Sequence, residues 1–337
     1  MPMIENPWPT IDLHVHLRGT IDRTTALDMA RQNEVHVSMG NFSAAGGYAW
    51  SSFEEFLTVY DQVGRVVRSA EDIYRLATSY LCRCASQGTI YVEFMLSPGH
   101  SVENGIPLKG QLEAMTSAFD EARRSTGIEG GLIITCVRHR GPDEAIFIAE
   151  TVLTNMASSV VGFGLTGNEG LYDAAEFKGA FQIAEEAGLG LTAHTGEWRD
   201  AASVLRTVEQ LNLSRVGHGI RAMENHLIVE KLVERDIGFE VCLSSNVALG
   251  ACSSAREHPL RKMIEAGCKV SLATDDPAFF GTSPINEYEI ARDVLGISNE
   301  QLVKISLDAV DMAFCSPAKK ILLREKILNR LLLHHIE

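Results

Sequence analysis

Eight short apolar segments, separated by amphipathic stretches, narrow the fold of this 337-residue chain more than any other feature. They fall near residues 11–17, 89–96, 131–137, 159–165, 189–193, 215–217, 238–243 and 269–273. Between them lie helical patterns such as residues 174–187 and 226–235, the latter with Leu227, Ile228, Leu232 and Val233 on one face. Apolar strands alternating with helices predict a parallel sheet, and eight of them predict an α/β fold of the (β/α)8 TIM-barrel type. The whole of residues 1–337 then reads as a single domain, since no linker rich in Pro, Gly or Ser and no fixed-period repeat interrupts it. Residues 20–87 form a long helical excursion after the first strand, expected to lie over the C-terminal face as a lid. Within it, Ser69-Ala70-Glu71-Asp72 marks a capped helix start, and the stretch from Met39 to Tyr48 reads as a mobile loop. Two helices, near 299–314 and 317–334, close the chain over residues 299–337, the second opening at Pro317.

Composition removes several function classes. A formal charge of −14 argues against general phosphate-backbone binding, so nucleic acid is not an expected partner. No apolar run reaches the ~18 residues of a membrane span. The opening Met1-Pro2-Met3-Ile4-Glu5-Asn6-Pro7 has neither the basic nor the apolar region of a leader peptide. The seven cysteines are scattered without a framework spacing, which suits buried thiols in a cytoplasmic protein. Oligomeric state is not readable from these patterns.

Ionisable residues collect where the predicted strands end, the place where active sites form in parallel barrels. The first strand carries His14 and His16, two residues apart and so on one strand face. The fifth ends in His194-Thr195-Gly196-Glu197, the sixth in Gly217-His218-Gly219, the seventh in Ser244-Ser245-Asn246 and the eighth in Thr274-Asp275-Asp276-Pro277. Three histidines and one carboxylate can converge there on one divalent ion. Imidazole with carboxylate suits zinc, with iron, manganese or cobalt also compatible. An ion with an open position acidifies bound water to a pKa of about 7. His218 and Glu197 remain for proton handling.

Taken together and in order, His14-Val15-His16-Leu17, His194-Thr195-Gly196-Glu197, Gly217-His218-Gly219, Ser245-Asn246 and Ser271-Leu272-Ala273-Thr274-Asp275-Asp276-Pro277 closely resemble the adenosine and adenine deaminase family, from residue 10 to about 320. The resemblance implies one catalytic zinc per chain held by His14, His16, His194 and Asp275. It implies hydrolytic deamination at C6 of an aminopurine nucleoside, adenosine or a derivative, with adenine, AMP and N6- or 5′-substituted adenines as alternatives. His218 and the free oxygen of Asp275 would orient the attacking water and help take its proton. Glu197 would protonate N1. Asp276 would hold N7, the Gly167 backbone would approach N3, and His16 and Arg18 would border the substrate. The nucleoside-type context Leu165-Thr166-Gly167-Asn168-Glu169 favours a substrate with a sugar. Glu93, in the second-strand motif, reads as structural. Glu169 reads equally as a surface carboxylate. His139, His258, His334 and His335 read as non-ligands.

Arg18 departs from the pattern, standing where the nucleoside enzymes carry aspartate and the adenine type glutamate. A guanidinium reverses the hydrogen-bonding role of a carboxylate. It suits an anionic substituent such as a 5′-phosphate; equally it suits a salt bridge to Glu54 or Glu55. Gly164, Met95 and Thr195 are further departures. Two other readings remain open: another metal-dependent hydrolase opening a cyclic amide or ester, which needs no N1 acid, and a purine-binding barrel without turnover.

Overall fold

The computed structural model describes residues 8–334. Residues 1–7, where a leader was sought, and His335 lie outside the described residues. Eight strands form one parallel sheet in sequential order: β1 (Thr10–His16), β2 (Thr89–Leu96), β3 (Glu129–Val137), β4 (Val160–Thr166), β5 (Gly190–Thr195), β6 (Arg215–His218), β7 (Gly238–Val241) and β8 (Lys269–Leu272). The sheet curls until its ends meet, giving the expected (β/α)8 barrel. β5 and β6 run further than apolarity alone indicates, because parallel pairing continues through His194↔Gly217 and Thr195↔His218. β7 stops earlier, since the chain turns at Cys242 into the helix Leu243–Ala248.

The seam between β8 and β1 is short and lies at polar residues. Val15 and Asp275 form the bridge, with Asp275 N donating to His14 O and His16 N donating to Asp275 O, both at 2.8 Å. One residue away, Thr274 Oγ1 donates to Asp12 Oδ2 at 2.6 Å, and Tyr80 OH donates to the same oxygen at 3.1 Å. Strict alternation would put Asp12 on the face of His14. The β1–β2 register shifts between Asp12 and Val15, and the two side chains find partners on different elements.

Between β1 and β2 the chain forms helices Arg23–Gln32, Phe53–Gly64 and Ala70–Ser86. The last starts in the expected capping box of Ser69 with Asp72 and packs on β2 and on helix Leu108–Thr126. The Met39–Tyr48 stretch is tied down by the Phe42–Tyr48 bridge and by Tyr48 OH donating to Ile21 O at 2.7 Å. Tyr48 also stacks on Phe279 with ring centroids 4.0 Å apart, and Phe56 packs on Phe279 and Phe280, joining this segment to the turn after β8. Helices Asn299–Met312 and Pro317–His334 follow; Ala309, Val310, Leu323 and Ile327 pack with Ile11, Leu13 and Tyr91. The seven cysteines are unpaired, six of them buried. No helix among the described residues is long and apolar enough to cross a membrane.

Inside the barrel, Arg215 on β6 is 1 % exposed and bonds acids on both sides. Its Nε donates to Glu240 Oε1 at 2.6 Å, and its Nη1 to Glu93 Oε2 at 2.8 Å and to Met312 O at 2.9 Å. Glu93 is therefore structural, as expected. Its Oε1 also accepts from Tyr91 OH and the Phe314 amide. Removing one member of a buried ionic network strands the others without compensation. Arg215→Met is expected to lower the unfolding free energy by about 3–5 kcal/mol, read from equilibrium urea denaturation; a loss below about 1 kcal/mol, the range of exposed pairs, would mean that the acids find other partners.

Candidate active site

The strand ends bring the sequence candidates into one cluster. His14 and His16 from β1 approach the residue after β8, with His14 Nε2 3.7 Å and His16 Nε2 3.2 Å from Asp275 Oδ1. From β5, His194 stacks against His14 with ring centroids 4.7 Å apart. The close stacking needs Gly217 alongside, where a Cβ would sit 2.8 Å from His14 Cε1 and 3.1 Å from His194 Cδ2.

Hydrogen bonds decide which nitrogens are free. His14 Nδ1 lies 2.6 Å from Glu240 Oε2. Burial opposes the charge of Glu240, but Arg215 and His14 hold its pKa down to about 2. An ionised acceptor requires His14 to donate from Nδ1, leaving the Nε2 lone pair for a cation. His14 Nε2 and His194 Nε2 are both buried without a hydrogen-bond partner. Such atoms are costly unless a ligand engages them. The ligating atoms of His14, His16 and Asp275 lie within 4.8 Å of one another, as do those of His14, His194 and His218, and this imidazole–carboxylate chemistry fits a divalent ion of the zinc class.

His218 belongs to a different arrangement. Leu260 N donates to His258 Nδ1 at 3.1 Å, so the neutral His258 ring carries its proton on Nε2, which faces Asn246 Oδ1 at 3.2 Å. That orientation turns the Asn246 amide nitrogen to His218 Nδ1, also at 3.2 Å. His218 Nδ1 is thus an acceptor, and its proton sits on the unpartnered Nε2. Burial, and after it the neighbouring His14 and His16, push His218 down to about 4 against the pull of Asp275. A neutral ring with Nε2–H presents a donor to the cluster and not a lone pair. His258, read from the sequence as a non-ligand, is 4 % exposed and sets this tautomer.

The second carboxylates are poised differently from the first. Burial opposes the charge of Asp275, yet His16, His218 and His14 hold it well below the usual carboxylate range, and Ser245 Oγ donates to its Oδ2 at 2.6 Å. Burial, with the Asp275 charge next, pushes both Glu197 and Asp276 well above that range. Glu197 Oε1 and Asp276 Oδ1 are buried without partners. Glu169 is buried too, not a surface carboxylate: it accepts from the backbone N–H groups of Gly196, Glu197 and Arg199 at 2.8–3.2 Å and shapes the turn that carries Glu197. His218 and Asp275 themselves sit at φ 62° and 61°, unusual for residues with a Cβ, and such strain concentrates at functional sites.

One cavity of about 600 Å³ opens onto this cluster. His16, His194, Glu197, His218, Asp275, Asp276 and Gly167 line its catalytic end, Gly167 with φ 89°. Phe53, Phe56, Leu57 and Tyr60 from the segment after β1 form an apolar wall. Arg18 is buried but does not line the cavity. It makes no salt bridge to Glu54 or Glu55; Glu55 accepts from Ser51 instead, and Arg18 Nη2 donates to Ser101 Oγ at 3.4 Å. His139, also set aside on sequence, lines the cavity with Asp61 and His100.

Comparison with known proteins agrees with this geometry. The family model of adenosine deaminase matches residues 9–330. The chain belongs to the adenosine deaminase family. A similar curated protein is an adenine deaminase of Rhizobium meliloti, 38 % identical over 320 residues, 95 % of this chain and 97 % of the relative. The crystal structure of an adenine deaminase from Arthrobacter aurescens superposes with a TM-score of 0.89 at 26 % identity, over 96 % of this chain and 98 % of that one. An amidohydrolase from Burkholderia ambifaria with bound zinc gives the same TM-score and identity, over 98 % and 92 %. This adenosine-deaminase-family member is a hydrolase acting on aminopurines.

Two substitutions separate the roles within the family site. Glu240→Gln is expected to weaken metal affinity about 10- to 100-fold, measured by competition with a chelator, because the amide holds the His14 tautomer less firmly. Asn246→Leu is expected to retain the metal and lower kcat by about 10-fold or more, as lost support of an active-site imidazole does. Equal loss of metal in both variants would place His218 among the ligands.

Proposed function

We propose that this chain hydrolyses the exocyclic C6–N bond of a 6-aminopurine, releasing ammonia, with adenine as the minimal substrate. The observation that carries the reading is one cavity lined by His16, His194 and Asp275, with His14 clustered on His16 and Asp275, beside two carboxyl groups, Glu197 and Asp276, raised toward their protonated forms. The names of the similar curated proteins support adenine, where the sequence context of Gly167 pointed to adenosine. One ion per chain, zinc by donor type, would be held by His14, His16, His194 and Asp275. The chemistry it supplies when bound is a water acidified to a pKa of about 7.

The remaining steps belong to the chain. Protonated Glu197 donates to N1, drawing electron density from C6. His218 Nε2–H donates to the attacking oxygen and fixes its line of approach, while the outer oxygen of Asp275 receives the water proton. Protonated Asp276 donates to N7, and the Gly167 amide reaches N3. Water adds at C6, the C6–N bond breaks, and the proton returned to the amine lets it leave as ammonia. An ester or simple amide hydrolase would have no use for the N1 and N7 donors. The segment from residue 20 to 69 acts as the cover that excludes bulk water, with Phe53, Phe56 and Tyr60 facing the ring. Seven unpaired thiols suit a reducing compartment, and we place the reaction in the cytoplasm.

Glu197→Gln tests the assignment of the acid. The variant is expected to keep its metal, by elemental analysis, while adenine turnover falls about 10²–10⁴-fold. Unchanged ammonia release would remove Glu197 from the mechanism.

A further inference from the structure

Arg18 is a buried cation with no counter-ion among the described residues. It is 8 % exposed, its hydrogen bond to Ser101 is long, and no carboxylate oxygen of a described residue lies within 4.0 Å of its guanidinium. Of the acids whose fields reach it, Asp61 makes no salt bridge to it, and Glu103 Oε1 accepts from Arg140 Nη2 at 2.5 Å. Uncompensated buried charge is strongly unfavourable, so a buried guanidinium beside a ligand cavity calls for an anion.

The cavity wall next to it has matching chemistry. Tyr60, Asp61, Ser97, His100 and His139 line the same cavity, and His139 Nδ1 lies 3.7 Å from where a Cβ on Gly167 would sit. The His100 and His139 rings lie 6.3 Å apart at 30°, and the ligating atoms of Asp61, His100 and His139 come within 4.8 Å of one another. Two histidines and a carboxylate also resemble a cation site. The local potential opposes a cation: after burial, Arg18, Arg140 and His139 drive His100 down to about 3, outweighing Glu103.

We propose that this part of the cavity wall is an anion subsite, in which His100 and His139, with the charge of Arg18 behind them, take a phosphate or carboxylate carried on the N9 side of the aminopurine. The inference rests on the deaminase reading, since base and anion share one cavity. Arg18 lies behind this wall, so its uncompensated charge favours an anion held against the wall, where Ser97 offers a hydroxyl. Adenine is then a substrate that leaves the subsite unfilled.

The test is ammonia release by the metal-loaded enzyme from adenine, adenosine, AMP and adenosine-5′-carboxylate. The expected result is kcat/KM for at least one anionic nucleoside tenfold or more above adenosine; which anion is preferred distinguishes phosphate from carboxylate. Arg18→Met is expected to lower the anion-to-adenosine ratio at least tenfold, mainly through KM. Should that variant fail to fold, His139→Gln gives the same directional change. Adenosine turned over as well as both anions, or a ratio untouched by these substitutions, would overturn the subsite. Adenine turnover alone would overturn it while leaving the deaminase assignment standing. No ammonia from any of the four would overturn that assignment and the subsite with it.

Discussion

The ionised carboxylate of Glu240 is the constraint on which the rest of the site depends. It sits in the barrel interior between Arg215 and His14, with Thr192 Oγ1 donating to it as well. A lone carboxylate there would take a proton, because burial alone disfavours its charge. Arg215 keeps it ionised, and the ionised form fixes His14 as an Nδ1 donor. The free Nε2 lone pair at the strand end is thus set by an arginine on another strand. The same arginine leans on Glu93 and on the Phe314 ring, 3.6 Å from its Cζ, so β2, β6, β7 and the C-terminal helices share one electrostatic centre.

A parallel logic runs on the other side of the cluster through neutral groups. The Leu260 amide sets His258, His258 sets Asn246, and Asn246 sets His218. Charge fixes the ring that must give up a lone pair, and dipoles fix the ring that must keep its proton. Both imidazoles have low-lying alternatives, since a neutral ring can carry its hydrogen on either nitrogen. Each chain of hydrogen bonds removes one alternative before any substrate arrives.

The barrel and the clustering of His14, His16, His194 and Asp275 at its strand ends were legible in the sequence because their signals are local. A strand shows its period within a few residues, and His14, His16, His194 and Asp275 stand in short motifs at strand ends. The supporting groups were not legible, because each acts through a partner on another element. Glu240 in Phe239-Glu240-Val241 shows only that an acid interrupts an apolar run; its partners lie on β1, β5 and β6. His258 looks like any polar loop residue until helix Leu260–Glu265 folds back over Asn246. Arg18 was recognisable as a misfit from its neighbours in the motif. Its surroundings depend on how helix Phe53–Gly64 packs, with a Cβ at Gly64 falling 2.8 Å from Arg18 Nη1, and no pattern in the helix reports that approach.

The seam of the barrel has a consequence for how the molecule is made. The backbone groups that join β8 to β1 belong to His14, His16 and Asp275, the residues that gather the side-chain donors. β1 leaves the ribosome long before β8, and until Asp275 arrives its edge N–H and C=O groups have no lasting partner on that side. Closing the cylinder and assembling the ligand set are therefore one event in time. A nascent chain holds half a seam and half a site together, and gains both when the last strand docks.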